Sequence, residues 1–303
     1  MKRRHVMGIT RLAAAGVFAC LAWGSTRAGE VGVNLLVNPS FEGGEEGTAP
    51  TGWSGKSYEL PREPYGADAS KTRANDKLCF VKGAGGREDG GGMGILIVKG
   101  EDKWSMGYQE VEARLDAPTR FTFSVYVRSD GSVPAGDPSA YVSVRGLKWD
   151  EATGSWKKQA TVGGGGQSQD FTPTSEWTKV AVSSVYPPGI ERVRAVIGLY
   201  SRDVEIEVDD AHLARALAVP EFNVEGEAKD LSQLAEGAGR DDEKAAALRS
   251  LLEAIREKLA TAGSAEATEE AKVEAARTLP SLIQEYFARK EELKRRLLES
   301  LFE

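Results

Sequence analysis

From Val31 to about Leu217 the apolar residues come in short runs, often at every second position, broken by Gly, Pro, Asp and Ser. Between Phe121 and Arg128, Phe121, Phe123, Val125 and Val127 fall on one face, while Thr122, Ser124, Tyr126 and Arg128 fall on the other. Val193, Ala195, Ile197 and Leu199 repeat the pattern, and Tyr141 to Arg145 does so with Val142 and Val144 inward. Leu78 to Val81 and Gly94 to Val98 are shorter apolar runs. Trp149 and Trp156 flank Asp150 to Gly154, a hairpin-turn sequence. Strands with one apolar face must cover it, and two antiparallel sheets packed face to face do so. The expected architecture is mainly β, an antiparallel β-sandwich.

After Pro220 glycine and aromatics thin out, and Ala, Glu, Lys, Arg and Leu dominate. Leu248, Leu252, Ile255 and Leu259 form a helix stripe, with Asp241, Asp242 and Glu243 near its start, where the helix dipole favours acids. Thr261 to Ser264 is a break. A second stripe runs through Leu282, Ile283, Tyr286, Leu293, Leu297 and Leu301, interrupted by Lys290 and with Pro280 as a kink or restart. The expectation is a linker over 220–239, then an α-helical hairpin or short coiled coil over 240–303. Its stripe serves either helix-on-helix packing or self-association.

Residues 1–28 read as an export signal: Lys2, Arg3, Arg4 and His5, an apolar run from Leu12 to Trp23, and small residues before Gly29. A lipoprotein signal ending at Cys20 is the alternative, with bulky Phe18 against it. Either places the protein outside the cytoplasm, as secreted, periplasmic or cell-surface. Without residues 1–28 the formal charge falls from −7 to −12. So acidic a chain argues against nucleic acid and against an anionic membrane surface, and no other stretch is apolar enough to span a bilayer. Cys79 is then the sole cysteine, which excludes an intrachain disulfide and leaves the core to hold the domain. The glycine runs at Gly90–Gly92 and Gly163–Gly166 lack the ending a phosphate loop needs and read as surface loops.

Two distant segments bracket the β region. Asn34 to Glu42 reads N-L-L-V-N-P-S-F-E, followed by Pro50-Thr51-Gly52-Trp53; Val208 to Leu213 reads V-D-D-A-H-L. With Gly107 to Val111 and Ser175 to Val180 between them, this order resembles carbohydrate-binding modules of the family 4/9 type. The resemblance covers residues 31–217 and implies a galactose-binding-like β-jelly roll at 29–219, with the Asn34 to Trp53 segment as its first strand and Val204 to Ala216 as its last. It also implies a structural calcium ion joining the two ends, on Glu42 and Asp210, with Asp209 as alternate. The alternation of Val204, Ile206 and Val208 would turn Asp210 inward. The other reading of these acids is bonding to backbone N–H groups or to a Lys or Arg.

Sugar-binding modules stack aromatic rings on pyranose faces, so the outward aromatic and polar residues are the candidates: Tyr126, Arg128, Tyr141, Arg145, Trp149 and Tyr200, with Trp156 beside Trp149. Trp53 and Trp177 read as framework or core. An enzyme is not expected. The only histidine after the signal is His212, inside the closing motif, and the chain has no H-E-x-x-H sequence or Cys/His cluster. The expected function is non-catalytic binding of a polysaccharide or glycan. The alternative is a structural or assembly protein whose helices contact partners.

Overall fold

The computed structural model describes residues 33–59, 73–75, 79–87, 91–97, 104–129, 139–162, 166–200, 205–238 and 243–300. The export signal, Leu78, Gly90, Val98, Gly163, Val204, Asp241, Asp242 and Leu301 lie outside the described residues.

Among those residues the β region holds twelve strands: β1 (Ser54–Glu59), β2 (Arg73–Asn75), β3 (Phe80–Ala84), β4 (Gly92–Ile97), β5 (Trp104–Glu112), β6 (Thr119–Ser129), β7 (Ala140–Asp150), β8 (Ser155–Lys158), β9 (Ser168–Phe171), β10 (Thr178–Tyr186), β11 (Arg192–Leu199) and β12 (Glu205–Leu217). They form two antiparallel sheets. One runs β2-β1-β5-β11-β7-β8, with β9 also on β7, and the other runs β10-β6-β12-β4-β3. This is a jelly-roll sandwich. The alternating runs behave as their period requires: Phe121, Phe123, Val125 and Val127 of β6, and Val193, Ala195, Ile197 and Leu199 of β11, are buried between the sheets. Trp149 pairs with Trp156 across the β7–β8 hairpin.

Phe80 belongs to this core and is fully buried, with the Phe41 ring 5.8 Å and the Trp53 ring 5.9 Å away. Glycines make its place. A Cβ at Gly94 or Gly107 would fall within 2.8 Å of the Phe80 ring, and one at Gly55 within 3.0 Å of its Cβ. Cys79 beside it is buried.

The opening motif is not the first strand that was expected. Residues 33–53 follow an irregular path, fixed by side-chain amides in place of a ladder. Asn34 donates to the Ala211 carbonyl, and its Oδ1 accepts from the Leu36 and Leu213 N–H groups. Gln109 both accepts from and donates to the Val37 backbone. Asn38, at φ 50°, holds the turn closed through Gly43 and Thr51. The motif joins the chain ends as expected, since Leu35 N–H reaches the Leu213 carbonyl. Polar side chains here do the work of a neighbouring strand.

The C-terminal region is a three-helix unit: α1 (Val224–Ala238), α2 (Glu243–Gly263) and α3 (Glu269–Ser300). The segment read as a linker, 220–239, therefore contains α1. Both expected stripes pack inside the unit, with Leu248, Leu252, Ile255, Leu279, Ile283, Tyr286 and Leu293 in one core. Helix α3 runs through Pro280 without ending, and Thr268 Oγ1 caps its start by accepting from Ala271 N–H. Lys290, which interrupts the stripe, is only 4% exposed and pairs with Glu227 and Asp230 of α1. Arg277 of α3 donates to the Asp116 carbonyl of the sandwich at 2.9 Å.

Candidate functional site

Sheet membership divides the six candidate residues between opposite sides of the sandwich. Tyr126 and Arg128 of β6 lie on the outer face of the five-stranded sheet. Tyr141, Arg145 and Trp149 of β7, with Tyr200 just after β11, belong to the seven-stranded sheet. One small ligand cannot contact both groups.

On the five-stranded side the candidates are already engaged. The Arg87 guanidinium lies 3.5 Å from the Tyr126 ring centre, and Lys179 lies 5.7 Å from it. Arg128 pairs with Glu207 and stands 4.6 Å over the Trp177 ring. Trp177 is thus half-buried under an arginine, not in the core as expected.

The seven-stranded outer face is richer. Tyr141 lies flat on the backbone of β11: a Cβ at Gly198 would fall 1.9 Å from its ring. Tyr200 stacks on it, with centroids 4.7 Å apart and planes 26° apart. The stack has a buried and an open member, because Tyr141 is 3% exposed and Tyr200 is 41% exposed. Arg145 donates to Ser143 Oγ at 3.2 Å and to the Tyr141 hydroxyl at 3.4 Å. Tyr108 stands across Val196 from Ser143, beneath Arg194 at 4.8 Å and Lys56 at 5.6 Å. Glu110 accepts from Arg192 and Arg194. Trp149 and Trp156 meet edge to face at 5.3 Å, and Arg192 lies 4.3 Å over Trp156.

The sequence reading missed Tyr108, Trp104 and Met106, which pack with Tyr141 and Val196. Their signal was present in W-S-M-G-Y-Q-E over 104–110, where every second residue is large and the others are small or polar. It reads inverted because the large residues face outward. The inward ones serve special contacts: Gly107 makes room for Phe80, and Gln109 bonds the Val37 backbone.

The acids assigned to calcium do not fit a calcium ion. Asp210 does not turn inward as expected, because β12 shifts register between Asp209 and His212 and Asp210 takes φ 47°. A bulge of this kind re-aims the side chains that follow it. Asp210 is half exposed and pairs with Arg87. Asp209 is the buried acid, 5% exposed, accepting from the Arg87 and Asp210 N–H groups. Burial pushes its carboxyl above the ordinary range, against the pull of those two donors. Glu42 accepts from Gly92 N–H at 2.8 Å, while the Lys82 ammonium bonds the Glu42 and Gly44 carbonyls. Calcium takes six to eight oxygens. Here those oxygens are held by N–H donors and an ammonium, and no group of three or more His, Cys, Asp or Glu that could hold a metal occurs among the described residues. Chelation is expected to move the melting temperature by less than about 1 °C, since removing a ligand destabilises only when that ligand was bound. A fall of several degrees in differential scanning fluorimetry would restore calcium.

No protein-family profile and no curated protein matches this chain. Among solved structures it is similar to the enzymatically active domain of tailspike protein 4 of bacteriophage CBA120, at 12% identity and a TM-score of 0.41 over 61% of this chain and 22% of that one. A putative sugar-binding protein from Bacteroides thetaiotaomicron matches at 12% identity and a TM-score of 0.39, over 60% of this chain and 100% of that one. A family 61 carbohydrate-binding module in complex with β-1,4-galactotriose matches at 13% identity and a TM-score of 0.34, over 60% of this chain and 99% of that one. The chain thus spans about a fifth of the tailspike domain. By its own strand order, its β region is a two-sheet antiparallel jelly-roll sandwich, with a three-helix unit attached.

Proposed function

We propose that this protein is an exported, non-catalytic carbohydrate-binding protein whose ligand lies on the outer face of the seven-stranded sheet. The observation that carries this reading is the Tyr141–Tyr200 stack. A flat aromatic surface, fixed from below by Gly198 and with Tyr200 as its exposed member, shares its face with Arg145, Tyr108 and Glu110. Rings present the apolar face a pyranose needs, and the polar groups beside them suit its hydroxyls. The five-stranded face supports the reading less, because its aromatics are covered by arginines. The helices do not carry a catalytic reading, since their buried polar group, Lys290 with Glu227 and Asp230, ties one helix to another. Their packed stripes favour internal support over self-association, although Leu298 stays exposed.

The test is binding of the full chain to a polysaccharide panel, followed by Tyr200→Ala. Loss of one stacking ring is expected to weaken binding about tenfold, worth about 1.4 kcal/mol. The melting temperature should hold, because the Tyr200 ring lies outside the core. Unchanged affinity on every polymer the protein binds would move the site elsewhere.

A further inference from the structure

The seven-stranded face is cationic although the chain carries a formal net charge of −7. Lys56, Arg145, Lys158, Arg192 and Arg194 all stand on it, by their register with Met106, Arg194, Leu147 and Glu110. Glu110 answers two of them, Arg192 and Arg194. Arg145 and Lys158 have no carboxylate within ion-pair reach among the described residues, and Arg145 donates to the neutral hydroxyls of Ser143 and Tyr141. Among the described residues the remaining acids of the face, Asp170 and Glu112, are exposed. Asp170 lies across from Tyr141 on edge strand β9, and Glu112 ends β5. Lys158 lies across from Leu147, two residues along β7 from Arg145 and on the same face. Lys158 is held below the ordinary lysine range, first by burial and then by the charge of Arg145. Two like charges on one face repel each other, and an anion between them relieves that repulsion.

We propose that the ligand of this face is an anionic polysaccharide. Its acid group, a uronate carboxylate or a sulfate ester, is seated by Arg145 and Lys158 while a neighbouring sugar ring lies on the Tyr141–Tyr200 stack. The proposal rests on the carbohydrate-binding reading above and names its ligand class. The planar fork of Arg145 suits an oxyanion, and its bonds to Ser143 and Tyr141 orient it before the ligand arrives. A sugar chain satisfies rings and cations together, presenting a pyranose face to the stack and an acid group to Arg145 and Lys158.

Calorimetric titration of the full chain tests this, using polygalacturonate, carboxyl-reduced polygalacturonate, a sulfated galactan and its desulfated form. The acidic member of one pair should bind about tenfold or more tightly than its neutral counterpart, and that preference should shrink as salt is raised. The pair that shows the effect identifies the acid as carboxylate or sulfate. Arg145→Gln with Lys158→Gln should abolish the preference at unchanged melting temperature. If Arg145→Gln impairs folding, Lys158→Gln alone should still reduce it. Equal binding of acidic and neutral members, or a preference that survives both substitutions, overturns the inference while leaving carbohydrate binding in place. Equally tight binding of single-stranded DNA overturns it in favour of charge alone. Failure to bind any polymer, with or without acid groups, removes the underlying reading and this inference with it.

Discussion

Phe80→Ala should lower the stability of the sandwich by about 4 kcal/mol, near the upper end for a buried aromatic. The reason lies in what surrounds the ring. Truncation of a core side chain is mild where neighbours can move in, and severe where they cannot. Phe80 rests against Gly55, Gly94 and Gly107, whose backbones are held in ladders by β1, β4 and β5. Glycines have no side chain to swing into the gap, and moving their strands would break sheet hydrogen bonds. The rings of Phe41 and Trp53 would also lose their edge contacts with Phe80. Urea denaturation followed by tryptophan fluorescence reads the loss, and Phe80→Leu should recover more than half of it. A fall of less than about 2 kcal/mol for the alanine variant would mean that the glycine cradle collapses after all.

Lys290→Met is expected to destabilise the helical unit by about 3 kcal/mol. Lys290 is buried within α3 and meets Glu227 and Asp230 of α1, and the Tyr286 hydroxyl donates to the same Glu227 carboxylate at 3.1 Å. Burial, and then the charge of Glu227, push the Tyr286 hydroxyl above the ordinary tyrosine range, so it remains a donor. Removing the ammonium leaves Glu227 with its charge and without its strongest partner in a poorly hydrated place. Breaking one side of such a pair is far more damaging than replacing both. Lys290→Met with Glu227→Gln should therefore recover much of the loss. Far-UV circular dichroism in a denaturant series follows the helices directly. A single variant as stable as the parent would show that water reaches the pair.

Much of the fold is legible in the sequence because strand period and burial coincide. β6 and β11 alternate cleanly, and their apolar faces are the ones buried. Reading failed where a residue does something other than its period suggests. Asn34 and Gln109 act as partners for backbone, so a segment that reads as a strand is irregular. A bulge carries Asp210 outward and leaves Asp209 as the buried acid. In β5 the inward positions are given to Gly107 and Gln109, which hid the outward Trp104, Met106 and Tyr108. The candidate site was legible one residue at a time, yet period alone does not say which of two sheets a strand joins. Tyr126 and Arg128 were therefore grouped with Tyr141 and Arg145 from the opposite side. The α1 helix was missed because its glycines and polar residues weaken the stripe, and its partner Lys290 is a charge where an apolar residue was expected.

The place of β12 has a consequence in time. It is the last strand made, yet it lies inside its sheet, between β6 and β4, and it also receives the opening segment at Leu35. A ribosome must therefore deliver nearly all of residues 33–217 before that sheet can close. Until then β6 and β4 each expose an unpaired edge, so premature collapse is hazardous and a slow, late-closing sandwich is the natural outcome. The three helices that follow depend mostly on near neighbours and need no such wait.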